Sequence, residues 1–162
     1  MATIYLGLGS NIDPERNLKL GIEELGRRFG QLELSGVYQS AAVGFEGPEF
    51  WNLVVGCKTT LSPAEVHGEI EIIHEMAGRH RGEDRFSSRP LDIDLLLYDD
   101  RVIDEPPARL PRSDILEYSF VLRPLAELAP DLVHPVTGKT MAWHWETFDK
   151  EALPLTAVDD FL

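Results

Sequence analysis

The chain has 162 residues, 43% hydrophobic and 9% aromatic, enough for a proper core, and residues 1–162 are read as a single domain without a linker. A formal net charge of −13 argues against a general nucleic-acid or membrane surface, because neither polyanion attracts such a molecule as a whole. One cysteine forbids an internal disulfide, and there is neither a signal-peptide pattern nor an apolar run near the roughly 18 residues of a membrane span, so a cytoplasmic monomer or weak dimer is expected.

Residues 3–8 alternate, with Ile4, Leu6 and Leu8 on one face, and break at Gly9-Ser10-Asn11, which predicts a strand entering a turn. Asp13 is the expected cap and Pro14 the first residue of a helix. Leu18, Ile22, Leu25 and Phe29 recur at helical spacing before Gly30 stops the run. Residues 31–40 alternate again, and residues 51–60 form a third strand candidate, the two expected to pair as an antiparallel hairpin. Cys57 in the apolar run of the latter is expected to be buried and unreactive. Ser62-Pro63-Ala64-Glu65 spells a capping box, after which Val66, Ile70, Ile73 and Ala77 make the apolar stripe of a second helix ending at Gly78. A strand at 91–98 closes the series.

The order β-α-β-β-α-β predicts an α+β fold with a ferredoxin-like βαββαβ core, its helices on one face of the sheet, and a C-terminal extension. Within that extension residues 120–128 read as a helix with Pro124 in its first turn, whereas 129–162 have no clear period.

Three groups of residues carry chemistry. Asp92 and Asp94, two apart on a strand, point the same way with Cα atoms roughly 6.5 to 7 Å apart, while Leu91, Ile93, Leu95 and Leu97 point the other way. Two such carboxylates repel and call for cations, most simply divalent metal ions. The competing reading is a solvated edge strand, but the flanking leucines suggest a central strand whose acids open into a cleft. Upstream, Arg79, Arg81, Arg85 and Arg89 fall within eleven residues, and guanidinium forks match phosphate oxygens bidentately. Neither GxxxxGK[ST] nor GxGxxG is present, which disfavours the common nucleotide folds. The third group, Gly44-Phe45-Glu46-Gly47-Pro48-Glu49-Phe50-Trp51-Asn52, a loop running into a strand, sets an aromatic beside an amide. That pair suits a flat heterocycle, although Phe50 or Trp51 could equally be core.

Gly9-Ser10-Asn11, Phe50-Trp51-Asn52, Gly78-Arg79-x-Arg81, Arg85-Phe86, Arg89-Pro90-Leu91-Asp92-Ile93-Asp94 and Phe120-x-x-x-Pro124-Leu125-x-Glu127-x-Ala129-Pro130 together resemble the 6-hydroxymethyl-7,8-dihydropterin pyrophosphokinase family of folate biosynthesis, over roughly residues 3–135. The resemblance implies transfer of the β,γ-diphosphate of ATP to the pterin hydroxymethyl group, with AMP released. It implies two Mg²⁺ ions on Asp92 and Asp94, and ATP phosphates met by Arg79, Arg89, Arg81 and Arg85. It also implies a pterin between Phe50 or Trp51 and Phe120, read at its edge by Asn52, with backbone at Ser40 to Val43 completing the pocket.

Three positions depart from the family pattern. Arg112 follows Leu110-Pro111 where the family has a histidine that meets the nucleotide, and Arg112 could serve as a phosphate donor in its place. Tyr118 lies in Glu117-Tyr118-Ser119, where an arginine is usual shortly before the aromatic, and His74 replaces a carboxylate. A noncatalytic nucleotide- or pterin-binding module and a metal-dependent phosphohydrolase are the competing functions.

Overall fold

The computed structural model describes residues 1–78, 89–151 and 153–159. Its first part runs β1 (Ala2–Ser10), α1 (Pro14–Phe29), β2 (Glu33–Leu34), β3 (Val37–Ser40), β4 (Phe50–Thr59), α2 (Pro63–Met76) and β5 (Asp92–Tyr98). The sheet order is β5-β1-β4-β3, with β1 antiparallel to both β4 and β5. This is the ferredoxin-like βαββαβ arrangement, and β3 and β4 form the expected hairpin with Tyr38 opposite Asn52.

The alternation of β1 sends Ile4, Leu6 and Leu8 into a core with Leu18 and Leu25 of α1 and Val66, Ile70 and Ile73 of α2. Gly21 lets α1 approach closely, since a Cβ there would stand 3.2 Å from Leu91 and 3.3 Å from Leu8. The capping box forms in full: the Ser62 hydroxyl accepts from the Glu65 amide and the Glu65 carboxylate accepts from the Ser62 amide. Cys57 is buried, and burial pushes its thiol up to about 11.

Several expectations are corrected. Asp13 holds the cap position in a left-handed conformation (φ 42°) and its side chain caps nothing; its carbonyl instead accepts from the Asn17 amide. The strand expected over 31–40 is two short ones, because the register against β4 shifts by one residue at Ser35 and Gly36, where Ser35 holds Val54 through its amide and its hydroxyl. The Glu127 carboxylate fastens this break, accepting from the Gly36 amide at 2.8 Å and from the Tyr38 hydroxyl. β5 is an edge strand of the sheet, not a central one. Its alternation also slips: the register against β1 shifts after Leu95, so Leu97 joins Leu96 on the opposite face from Ile93 and Leu95.

The C-terminal region is a second packing layer rather than an appendix. It comprises the hairpin β6 (Ile103–Glu105) and β7 (Ala108–Leu110), then α3 (Asp114–Glu117), α4 (Ser119–Leu128), α5 (Met141–Thr147) and β8 (Thr156–Val158). Helix α4 covers the sheet face that α1 and α2 leave open, burying Val121, Leu122 and Leu125 against Val54, Leu96 and Leu97. Pro124 sits in the middle of α4, not its first turn. A mid-helix proline costs about 3 kcal/mol, which the burial of Leu122 and Leu125, worth about 1.5–3 kcal/mol each, offsets. β8 extends the sheet beyond β3, pairing Thr156 to Val158 with Gln39 to Val37.

Between α4 and α5, His134 is 4% exposed and its Nδ1 accepts from the amides of Val136 and Thr137. Burial and the neighbouring His144 lower its pKa. The unfolded chain therefore takes up this proton first, and stability falls as pH drops from about 6.5 toward the lower folded value. His134→Asn, whose side-chain carbonyl can accept the same amides without titrating, is expected to lose less melting temperature than the parent between pH 7.5 and 5.5. An identical loss in calorimetric melts of both proteins would remove His134 from the acid response.

Candidate active site

The carboxyl end of β1 and the amino ends of β4 and β5 open into a cavity of about 410 Å³ on the α4 side of the sheet. Its floor is Gly7 and Gly9, whose bare backbone makes the room. A Cβ on Gly9 would stand 2.8 Å from Asn52 Oδ1. Asp94 pairs with Gly7 and Asp92 with Gly9 across the β1–β5 ladder, so period-2 alternation delivers both carboxylates, half-buried, to the same wall.

Among the described residues, two arginines stand around the acid pair. Arg89, 5% exposed, lines the cavity and is clasped at its backbone by Asn11: its amide donates to Asn11 Oδ1 at 2.7 Å and its carbonyl accepts from the Asn11 amide at 3.1 Å. Asn11 Nδ2 also donates to the Pro48 carbonyl at 3.2 Å. The Gly-Ser-Asn turn thus ties the start of the acidic strand to the loop that leads into Phe50. Arg112 lies 3.5 Å from Asp94 Oδ1 and 3.4 Å from Asp114 Oδ1. Burial works against its charge, but Asp94, Asp114 and Asp92 outweigh that and hold its pKa above the usual arginine value. Arg79, Arg81 and Arg85 lie outside the described residues.

The other end of the cavity is flat and aromatic. Phe50 meets Phe45 edge to face at a centroid distance of 6.3 Å, and Phe120 stacks on Tyr118 at 5.0 Å with their planes 17° apart. Asn52, 6% exposed, donates to the Ser40 hydroxyl at 3.2 Å, and Ser40 and Val43 complete the wall. Trp51 is the exception among the residues expected here. On β4 it points opposite to Phe50 and Asn52 and packs against the core beneath α1 and α2, away from the cavity.

His74 has a structural task. It is 4% exposed, and its Nε2 accepts the amide of Ile93 at 2.8 Å, the backbone link between the two acids. Its Nδ1 lies 3.3 Å from Glu71 Oε1. This bond fastens the outer edge of β5 to α2 beside a smaller recess of about 170 Å³, lined by Ile70, His74, Leu95, Asp94 and Arg112, the last two of which also line the main cavity.

Sequence reasoning missed Asp114, whose available signal was its place two residues after Arg112, and it gave Phe45, which lines the cavity, no role of its own within the loop it singled out.

The donor set of the acid pair suits a hard divalent cation. Among the described residues no group of three or more His, Cys, Asp or Glu makes a protein-only cage. Two carboxylates facing a cavity fit Mg²⁺, which keeps waters and takes its remaining oxygens from phosphates. No helix among the described residues is long and apolar enough to cross a membrane.

Comparison with known proteins identifies a family. The family model described as 7,8-dihydro-6-hydroxymethylpterin-pyrophosphokinase matches residues 5–130. A 2-amino-4-hydroxy-6-hydroxymethyldihydropteridine pyrophosphokinase of Aquifex aeolicus is 36% identical over 143 residues, covering 87% of this chain and 89% of the relative. A protein of the same name from a Synechocystis species is 38% identical over 151 residues, covering 91% of this chain and 77% of the relative. Among solved structures, a crystal structure of Plasmodium falciparum HPPK-DHPS superposes with a TM-score of 0.72 at 14% identity, over 90% of this chain and 43% of that one, which speaks to the fold alone. With most of its length matched by the family model and by relatives above one-third identity, the chain belongs to the 7,8-dihydro-6-hydroxymethylpterin-pyrophosphokinase family.

Proposed function

We infer that the chain transfers the β,γ-diphosphate of ATP to the hydroxymethyl group of 6-hydroxymethyl-7,8-dihydropterin and releases AMP, a step of folate biosynthesis. The observation that carries this reading is one cavity with two unlike ends, Asp92, Asp94, Arg89 and Arg112 at one and Phe50, Phe120, Asn52 and Ser40 at the other. A phosphohydrolase would need the first end only.

Asp92 and Asp94 would hold two Mg²⁺ ions, which when bound would neutralise the triphosphate and polarise it toward attack. Arg89, fixed at its backbone by Asn11, would meet phosphate oxygens without an ordering cost at the moment of binding. Arg112 would supply a second guanidinium from the α3 side, and Arg79, Arg81 and Arg85 further ones from the chain before β5. Phe50 and Phe120 would sandwich the pterin and exclude water, while Asn52, oriented by Ser40, reads its edge. The pterin hydroxyl oxygen would then form a bond to the β-phosphorus, its proton passing to solvent, as the bond between that phosphorus and the oxygen bridging it to the α-phosphorus breaks, the electron pair leaving on AMP. The arginines stabilise that departing charge, and no covalent enzyme intermediate is required.

The test follows nucleotide products with Mg²⁺ present, with and without the pterin. AMP formed only when the pterin is added supports the transferase. Phosphate released from ATP without pterin would make the chain a phosphohydrolase, and binding of both ligands with no product would make it a binding module.

A further inference from the structure

Arg112 and Asp94 face each other with 3.5 Å between a terminal guanidinium nitrogen and Oδ1, so a cation already stands against one of the two acids. The root of that arginine is fixed to the same strand, because its amide donates to the Leu96 carbonyl at 3.0 Å. Its far end is not equally settled. Nε is buried, lies 3.4 Å from Asp114 Oδ1 and makes no hydrogen bond, while the side chain is 36% exposed and lines the cavity. The guanidinium therefore neutralises the acids in a geometry that leaves one of its own donors unused, a geometry that two oxygens of a phosphate would improve.

We propose that Arg112 is a displaceable counter-ion: it occupies Asp94 in the ligand-free protein and transfers to an arriving polyphosphate, so that the acid pair accepts a divalent cation only together with the nucleotide. A guanidinium and a divalent ion repel when both crowd one carboxylate, and the ion that binds without nucleotide must first dislodge the arginine. A polyphosphate removes that opposition by offering the guanidinium bidentate oxygens. By linkage the effect is reciprocal, each ligand tightening the other. The inference rests on the reading of Asp92 and Asp94 as metal ligands.

The experiment titrates the full chain with Mn²⁺ in place of Mg²⁺, following free Mn²⁺ by its electron paramagnetic resonance signal, with and without a nonhydrolysable ATP analogue. Without nucleotide, Arg112→Gln is expected to bind Mn²⁺ roughly tenfold tighter than the parent, whereas Arg112→Lys, which keeps a charge, stays near the parent. The tightening caused by the analogue should shrink in Arg112→Gln by the same factor. Arg112→His at pH 8 gives a second neutral variant should the glutamine fail to fold by circular dichroism. Equal Mn²⁺ affinity of the parent and the neutral variants without nucleotide overturns the counter-ion role. Undiminished Mn²⁺ binding by Asp94→Ala in the presence of the analogue would instead defeat the underlying metal reading, and the inference with it.

Discussion

Asp94→Ala is expected to abolish Mg²⁺-dependent diphosphate transfer, a loss on the order of 10³-fold or more, while leaving the fold intact. The size follows from its place: it shares one wall with Asp92, faces the bare backbone of Gly7, and has no neighbouring carboxylate that could take over from the same strand position, because Leu96 begins the slip in alternation. The fold should survive because removing one of two like charges relieves repulsion. The ion pair of Asp94 with Arg112 is partly exposed, of a kind worth about 0–1 kcal/mol, so its loss costs little. The checks are AMP production at saturating Mg²⁺ and a thermal melt. Full turnover by the variant would take the metal role away from this residue.

Asn52→Leu should strike the other end of the cavity. The substitution keeps the volume close but removes the buried amide that orients Ser40 and would read the ring edge, leaving polar atoms on both sides without partners. A site built to hydrogen-bond its substrate discriminates strongly when that bond is lost, and kcat/KM for the pterin is expected to fall about 10² to 10³-fold. Binding of an ATP analogue should move by less than about twofold, since Asn52 lies among the ring-end residues of the cavity. Calorimetric titration of each ligand separates the two effects. An unchanged pterin affinity, or an equal loss for both ligands, would contradict the assignment.

What could be read from the sequence divides along a physical line. Residues whose roles follow from local periodicity were legible: the alternating acids of β5, the capping box of α2, the apolar stripes of both core helices and the hairpin of β3 and β4. Contacts set by distant parts of the chain were not. Nothing local says that Ser35 and Gly36 break a strand, since the carboxylate that fastens the break is Glu127, some ninety residues on. Trp51 illustrates the same limit from the other side. Its chemistry suits a ring pocket as well as that of Phe50, and only the face of β4 that turns toward α1 and α2 decides against it. The Pro-containing helix α4 was visible as a helix, but its use as the second layer depends on a sheet face that the βαββαβ pattern leaves uncovered.

The edges of the sheet carry a consequence for behaviour in concentrated solution. An open edge strand is a template for pairing with another copy, and β5 would be such an edge. Its outward Ile93 amide is already taken by His74 and its Leu96 carbonyl by the Arg112 amide. At the opposite side β3 is covered by β8, only three residues long and followed by Asp159. Together with a net charge of −13 this makes strand-to-strand aggregation hard to start. The contacts that hold the acidic strand in place therefore also keep one copy of the chain from recruiting the next.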